Sequence, residues 1–277
     1  MPPVNEQSFD SLDVSTADGV TCVTINHPPI NLMDESLIKQ LDTLSRRLKK
    51  DHETRVVVFR SADPDFFIPH ADVQMISDQK QPSSAVNREL NGFQRMTERF
   101  RVLPQVTIGQ IEGHVGGGGS ELLLALDMRF AAIDKAFLSQ PEVGLGILPG
   151  GGGTQRLATL VGRARTLEIV LGCESFDAIQ AERYGYVNRA IPAEQITEFV
   201  NQLAERIAGF PSEAIQRAKA SIDAAFSHPY SGLIEENNHF EQLLRTEDAR
   251  ERMQRFLQEG GQSRDGERVL TKLLDRL

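Results

Sequence analysis

The apolar residues in the first part of the chain follow two different periods. Residues 19–26 (GVTCVTIN) alternate β-branched with small polar residues, which predicts a strand. Residues 54–61 (TRVVVFRS) and 105–113 (QVTIGQIEG) are apolar runs bounded by breakers, which predicts two buried strands. Between the first two runs, within residues 31–51, apolar residues recur at helical spacing: Leu37, Ile38, Leu41, Leu44 and Leu48. A strand, a helix and a strand in this order indicate parallel pairing and an α/β fold.

The pattern becomes purely helical from about Glu194. Amphipathic stretches predict helices over residues 193–209, 212–226 and 231–246. Earlier in the chain, a helix is also predicted over residues 84–100, and residues 77–86 (SDQKQPSSAV) are typical of a loop. The chain is therefore divided into an α/β core, residues 1–193, and a helical C-terminal region, residues 194–277.

Length and charge exclude several classes of protein. The chain has 277 residues, of which 40% are hydrophobic, enough for a large core. Its formal charge of −9 argues against a nucleic-acid or anionic membrane partner, because such partners attract clustered Lys and Arg. The start, MPPVNEQSFD, does not resemble a signal peptide, and the longest aliphatic stretch stops at Asp127. We expect a soluble, cytoplasmic protein that binds neither nucleic acid nor membrane.

Cysteine and histidine usage predicts no disulfide or metal site. Cys22 and Cys173 are the two cysteines, too few for a disulfide framework, and we expect both to be reduced. The six histidines show no paired spacing with a carboxylate, so no metal is expected.

A glycine run directly precedes a carboxylate in residues 113–127 (GHVGGGGSELLLALD). If a helix begins near Gly118, its first N–H groups are unpaired and carry the positive end of the helix dipole. Such a turn can stabilise a developing oxyanion, and Glu121 would lie one turn later, within reach of the same ligand. Alternatively, the glycines only permit tight packing and Glu121 complements the helix dipole. A dinucleotide or phosphate loop is less favoured, because the acidic ribose ligand and the phosphate-binding Lys are missing.

A second carboxylate, Glu142, follows Pro141 in residues 138–157 (LSQPEVGLGILPGGGGTQRL). The glycines after it are expected to open another helix at about Thr154. Two carboxylates in one apolar pocket would have separated pKa values, which provides one base and one acid at neutral pH. Taken alone, Glu142 is also compatible with a solvated turn.

Four motifs in this order resemble the crotonase family, the enoyl-CoA hydratase and isomerase superfamily. They are PPINLMD, FRSADPDFFIPHADVQMI, IEGHVGGGGSELLLALDMRFAA and the stretch from SQPEVGLGILPGGGGTQRL to YGYVNRAI. The resemblance extends from about residue 10 to at least residue 210. It implies an α/β core of stacked ββα turns, residues 1–193, and a helical trimerisation region, residues 194–277. It further implies a homotrimer or a dimer of trimers, with an acyl-CoA thioester as substrate and no cofactor.

The resemblance also assigns roles to individual residues. The two backbone oxyanion donors match Ala71 and Gly118, and the two glutamates around the attacking water match Glu121 and Glu142. Because both glutamates are present, we expect an enoyl-CoA hydratase that adds water to a trans-2-enoyl-CoA. A Δ3,Δ2-enoyl-CoA isomerase, which needs mainly Glu142, or another acyl-CoA enzyme of this family is the alternative. A non-catalytic acyl-CoA-binding protein is an alternative of another class. Neighbouring residues expected to bind substrate are His70, Asp72 and Gly117.

The chain departs from the family pattern at several positions. Pro69 and His70 precede the oxyanion alanine where relatives usually have a small residue, and a loop histidine of this kind is expected more often at the surface. Gly116 stands where an apolar residue is common, which predicts a looser loop and a reshaped acyl pocket. Basic residues that would contact CoA phosphates are missing around HPPIN and DPDFF.

Overall fold

Strands and helices alternate through the first two thirds of the chain. The computed structural model describes residues 8–78, 89–224, 229–274 and 276–277. The strands in these ranges are β1 (Leu12–Ala17), β2 (Val20–Ile25), β3 (Val56–Ser61), β4 (Phe66–Ile68), β5 (Val106–Ile111), β6 (His114–Gly116), β7 (Met128–Ala132), β8 (Phe137–Ser139), β9 (Phe176–Asp177) and β10 (Arg189–Ile191). The helices are α1 (Glu35–Leu48), α2 (Val73–Ser77), α3 (Gly92–Arg101), α4 (Gly117–Leu124), α5 (Gly153–Val161), α6 (Arg163–Gly172), α7 (Ala178–Tyr184), α8 (Ile196–Ala208), α9 (Ser212–Ala224), α10 (Pro229–Leu243), α11 (Glu247–Gln258), α12 (Arg264–Glu267) and α13 (Leu270–Leu274).

The strands form two sheets that the chain enters in turn. The larger sheet has the order β1-β2-β3-β5-β7-β10, with parallel pairing except between β1 and β2. The smaller sheet has the order β4-β6-β8-β9, with parallel pairing except between β8 and β9. The pairs β3 and β4, β5 and β6, and β7 and β8 each place one strand in each sheet before the next helices. The predicted α/β class with ββα turns is therefore confirmed.

The β-branched runs form strands where the sequence predicts them. They are β2, β3 and β5, and Val56 to Phe59 of β3 are completely buried, as expected for a central parallel strand. The additional strand β1 was not predicted. Its residues alternate between inward and outward positions at the edge of the sheet, which leaves a short and weak apolar signal.

Helix α3 begins later than predicted. Residues 84–88 of the predicted helix lie outside the described residues, as does most of the predicted loop at residues 77–86. The Asn91 side chain accepts a hydrogen bond from Gln94 N at 2.7 Å, and Asn91 N donates to Gln94 Oε1 at 3.1 Å. This capping box fixes the start of α3 at Gly92.

The C-terminal region is helical, as predicted, and no strand follows β10 within the described residues. Helix α8 covers the larger sheet through Ile196 and Val200, whereas α11 and α13 pack against α2 and the 3-10 helix Glu142–Leu145. None of the described helices combines the length and apolar character that a bilayer crossing needs. The boundary at residues 193 and 194 and the trimer or dimer of trimers stay predictions.

Candidate active site

Helix α4 carries the first predicted carboxylate. Strand β6 ends at Gly116 and α4 begins at Gly117, one residue before the predicted start. Gly118 lies in the first turn of α4, where a backbone N–H has no acceptor within the helix. Glu121 follows one turn later, and every residue of α4 is buried. The sequence therefore places an unused amide and a carboxylate at the buried, positive end of one helix dipole.

Ala71 is held by a parallel bridge to Met33. Met33 N donates to His70 O at 3.1 Å, and Asp72 N donates to Met33 O at 3.1 Å. In a parallel bridge these bonds flank the bridged residue, whose own N–H points away from the partner strand. A Cβ atom on Gly118 would lie 3.6 Å from the Ala71 nitrogen. The two amides assigned to the oxyanion hole therefore lie close together.

One cavity of about 330 Å³ brings most of the predicted site residues together. Its wall includes His70, Ala71, Gly117, Gly118, Glu121 and Glu142. Much of the remaining wall is apolar and comes from the surrounding helices and the turn after the 3-10 helix: Ile38, Val73, Met75, Ile76, Phe93, Leu145, Ile147 and Phe240. No Lys or Arg is among the described residues that line it. The cavity suits an apolar chain whose polar atoms meet backbone amides and carboxyl groups.

The Glu121 carboxylate is held by the second glycine run. Its Oε1 atom accepts hydrogen bonds from Gly151 N at 2.7 Å and Gly153 N at 2.8 Å. Burial and the negative charges of Glu142 and Glu236 raise the pKa of Glu121 well above its ordinary value, and the two amides oppose this rise. The amides fix the carboxyl group and favour its ionised form.

Glu142 lies in a different environment from Glu121. It begins the 3-10 helix after Pro141 and is 8% exposed. Burial raises the pKa of Glu142 to about 8, with a further contribution from Glu236, while its own backbone N–H and His70 oppose the rise. A carboxyl group with this pKa holds its proton at neutral pH.

A chain of buried polar groups orients Glu142. With its amide oriented by its hydrogen-bond partners, Gln140 donates to the two Glu142 oxygens at 3.2 and 3.1 Å and accepts from Ser120 Oγ at 3.0 Å. Ser120 Oγ is also hydrogen-bonded to the Tyr186 hydroxyl group. Ser120 and Tyr186 are almost completely buried, so this chain has a fixed geometry.

The family of the chain follows from a match along most of its length. A family model described as enoyl-CoA hydratase/isomerase matches residues 15–263. The chain belongs to this family. An Arabidopsis thaliana protein named "Probable enoyl-CoA hydratase 2, mitochondrial" is 33% identical over 240 residues, which cover 86% of this chain and 79% of the relative. A short-chain-enoyl-CoA hydratase of Clostridium acetobutylicum is 29% identical over 242 residues, which cover 86% of this chain and 91% of the relative.

A solved member of the same family shares the fold along nearly the whole chain. It is a Streptomyces avermitilis protein described as a candidate enoyl-CoA hydratase, and it is 38% identical. The superposition has a TM-score of 0.90 and covers 97% of this chain and 98% of the other. The resemblance to the crotonase family, inferred from four motifs, is confirmed.

His70 occupies a buried position in this enoyl-CoA hydratase/isomerase fold, so the expectation of a surface loop residue is wrong. Its Nε2 lies 2.8 Å from Glu267 Oε1, and its Nδ1 lies 2.8 Å from the carbonyl oxygen of Ala71. Burial alone would lower the pKa of His70, but the charge and hydrogen bond of Glu267 outweigh it and raise the pKa. The same pairing lowers the pKa of Glu267 against the effect of burial. A buried ion pair therefore lies directly beside an oxyanion donor.

Asp72 lies beside the cavity but is not among its lining residues. Its side chain caps α2 by accepting from Gln74 N at 2.8 Å, and it accepts from Gln262 Nε2 at 3.0 Å. Gln262 Oε1 accepts from Val73 N at 2.8 Å, so the C-terminal region also holds this loop. Substrate binding by His70, Asp72 and Gly117 stays a prediction; His70 and Gly117 line the cavity and Asp72 does not.

Gly116 does not loosen the loop before α4, so that expectation is wrong. Gly116 is the last residue of β6 and pairs in register with Ser139. A Cβ atom there would lie 2.5 Å from Ser139 Oγ and 2.7 Å from the Pro69 carbonyl oxygen. Close packing between strand β6 and its neighbours thus explains the glycine at position 116.

Three polar residues at the site were not identified from the sequence. Gln140 lies two residues before Glu142 inside a quoted motif, which is a usable local signal. Glu236 and Glu267 come from α10 and α12, far along the chain from the groups that they contact. Both lie close to other acidic residues in polar, helical stretches, so no local pattern reveals their burial.

Proposed function

We propose that this member of the enoyl-CoA hydratase/isomerase family adds water across the 2,3 double bond of a trans-2-enoyl-CoA. The observation that carries the proposal is the presence of both glutamates, Glu121 and Glu142, and both donor residues, Ala71 and Gly118, in the wall of one cavity. The hydratase names of the Arabidopsis and Clostridium relatives support the same reaction.

In the proposed reaction, the thioester oxygen lies between the N–H groups of Ala71 and Gly118. Attack at C3 moves electron density onto this oxygen and produces an enolate. Two fixed N–H donors stabilise that charge more strongly than they stabilise the neutral carbonyl, which lowers the barrier. The α4 dipole contributes in the same direction, because Gly118 lies at its positive end.

The two glutamates divide the proton transfers. Buried carboxyl groups that interact this closely titrate as a unit, so their charge is expected to lie where it is best stabilised. The Gly151 and Gly153 amides stabilise a charge on Glu121. Glu121 therefore takes a proton from the water that attacks C3, and Glu142, whose pKa is about 8, delivers a proton to C2. The hydroxyl group of water adds to C3 and a proton to C2 on the same face, and the proton gained by Glu121 replaces the one lost by Glu142 before the next turnover. Because water and the two carboxyl groups supply every atom that is transferred, the proposal needs no cofactor.

A passive acyl-CoA-binding protein is less compatible with this cavity. Burying two carboxyl groups whose pKa values both rise costs folding free energy, and binding of an apolar chain does not require them. The described lining residues include no Lys or Arg to bind the CoA phosphates. In this proposal the phosphates lie outside the cavity, so their binding does not depend on its lining.

The test is loss of the enoyl absorbance when purified protein is mixed with crotonyl-CoA. Glu121→Gln and Glu142→Gln should each lower kcat by about 100- to 10,000-fold, the usual contribution of an acid or base. The exposed Glu174 provides a matched control, and Glu174→Gln should retain wild-type activity. Full activity in Glu121→Gln would remove Glu121 from the mechanism.

Two further substrates separate the alternatives. Conversion of a 3-enoyl-CoA to the conjugated isomer, without hydration of crotonyl-CoA, would identify an isomerase. Calorimetric binding of enoyl-CoA thioesters without turnover of any of them would identify a binding protein.

A further inference from the structure

The backbone of the glycine loop before α5 is hydrogen-bonded to two carboxylates. The N–H groups of Gly151 and Gly153 donate to Glu121 Oε1 at 2.7 and 2.8 Å. Gly152 and Thr154 donate instead to Glu236: Gly152 N to Oε1 at 2.6 Å and Thr154 N to Oε2 at 2.9 Å. Four consecutive amides therefore alternate between a carboxylate of α4 and a carboxylate of α10.

Glu236 is buried and held by further hydrogen bonds. It is 3% exposed, and the Thr154 hydroxyl group is hydrogen-bonded to its Oε2. Gln94 Nε2 lies 3.5 Å from its Oε1. Glu236 is not among the residues that line the cavity, although its neighbours Asn237 and Phe240 are. It can thus act on substrate only through other residues.

We propose that Glu236 is a positioning residue for the acid and base chemistry: it holds the alternate amides of the glycine loop and places a second buried carboxyl group beside the loop that holds Glu121. Gly152 and Thr154, which donate to Glu236, directly follow Gly151 and Gly153, which donate to Glu121. The position of Glu236 therefore determines where the two donors of Glu121 lie. A shift of Glu236 therefore shifts the donors that orient the Glu121 carboxylate. This role rests on the proposed hydration.

The charges around Glu236 determine the sign of its effect. Glu121 on α4 and Glu142 on the 3-10 helix are carboxyl groups whose pKa values Glu236 raises. Burial raises the pKa of Glu236 itself, while the hydrogen bonds from Thr154 and Gly152 and the charge of Arg156 on α5 oppose this rise; α3 contributes the neutral Gln94. Removing the charge of Glu236 should therefore make Glu121 easier to ionise.

Infrared titration tests this coupling without substrate. The C=O band of protonated Glu121 is assigned by its loss in Glu121→Gln, and its midpoint is compared between wild type and Glu236→Gln. The midpoint should move to lower pH in Glu236→Gln and stay unchanged in Glu251→Gln, a control at an exposed position of α11. An unchanged midpoint in folded Glu236→Gln would overturn the proposal.

A second comparison covers the case in which Glu236→Gln does not fold, because coupling between two groups is reciprocal. In a Glu142→Gln background, Glu121 and Glu236 are the two remaining carboxyl groups of the cluster. Adding Glu121→Gln should move the band of Glu236 to lower pH. If that band does not move, the two groups are uncoupled and the proposal fails.

The hydration assay then separates positioning from a merely structural role. In Glu236→Gln, kcat should fall about 10-fold, the effect of weakening one or two hydrogen bonds in the loop. The acidic limb of the pH profile of kcat should also move to lower pH. KM should change little, because Glu236 does not line the cavity. A wild-type protein that hydrates no trans-2-enoyl-CoA would refute the proposed function, whereas the infrared result would still decide the coupling.

Discussion

Replacing Glu142 by glutamine should stabilise the folded protein at alkaline pH. The ordinary pKa of this carboxyl group is 4.5, and burial raises it to about 8. The unfolded chain releases the proton near pH 4.5, whereas the folded protein keeps it up to about pH 8. Wild-type stability is therefore lost progressively as pH rises between these values, and a glutamine side chain at this position, which cannot ionise, avoids the loss.

The magnitude follows from the two pKa values. Their difference corresponds to about 5 kcal/mol for ionising Glu142 in place, and part of it depends on the charge of Glu236. An effect of about 2–5 kcal/mol at pH 9 is expected, which for a chain of this length is about 4–10 °C in Tm. At pH 4.5 the two proteins should unfold at nearly the same temperature.

The assay is thermal unfolding followed by circular dichroism from pH 4.5 to pH 9. Wild type, Glu142→Gln and the exposed control Glu174→Gln are compared at each pH. The control should follow wild type at every pH. A Tm difference that does not depend on pH, or a less stable Glu142→Gln at pH 9, would refute the reasoning that Glu142 is buried with its proton.

Four further outcomes are expected. The kcat for crotonyl-CoA should fall above about pH 8, because Glu142 then loses the proton that it donates; a rate that still rises at pH 9 would contradict this role. Gly118→Ala places a methyl group 3.2 Å from the Ala71 Cβ atom and 3.6 Å from the Ala71 nitrogen, which crowds the proposed position of the thioester oxygen, and should lower kcat in the same assay by up to about 100-fold, the cost of losing one oxyanion donor; wild-type activity would contradict the proposed position of that oxygen. His70→Gln leaves Glu267 buried without its cation and should lower the free energy of unfolding in urea by about 3–5 kcal/mol. Adding Glu267→Gln should restore part of this loss. A double variant whose loss equals the sum of the two single losses would show that His70 and Glu267 do not interact. Light scattering after gel filtration should give the mass of three or six chains, and a monomer would contradict the predicted assembly.

The sequence was most informative where structure is local. The β-branched runs that became β2, β3 and β5 need only their own residues and the breakers beside them to be recognised. The start of α3 was also a local signal, the Asn91 and Gln94 capping box, which fixes the helix start at Gly92, whereas the sequence prediction began at residue 84. Strand β1 was missed because an edge strand of six residues offers little apolar pattern.

The candidate site divides in the same way. Glu121 and Glu142 were predicted because each follows or precedes a glycine run that has few structural uses. His70 could be located in the sequence, but its burial depends on Glu267, 197 residues later. Glu236 likewise depends on backbone amides 82 and 84 residues away. Such contacts are created by tertiary packing and leave no periodicity to detect.

The origin of Glu236 and Glu267 in the last helices has a consequence for synthesis of the protein. The ribosome makes the larger sheet, α4 and the glycine loops first, and a nascent chain can begin to fold from its N-terminal end. Until α10 and α12 emerge, the loop amides lack one of their two acceptors and His70 lacks its counter-ion. A complete site can therefore form only after α10 and α12 have left the ribosome, so the core can fold before the protein becomes active.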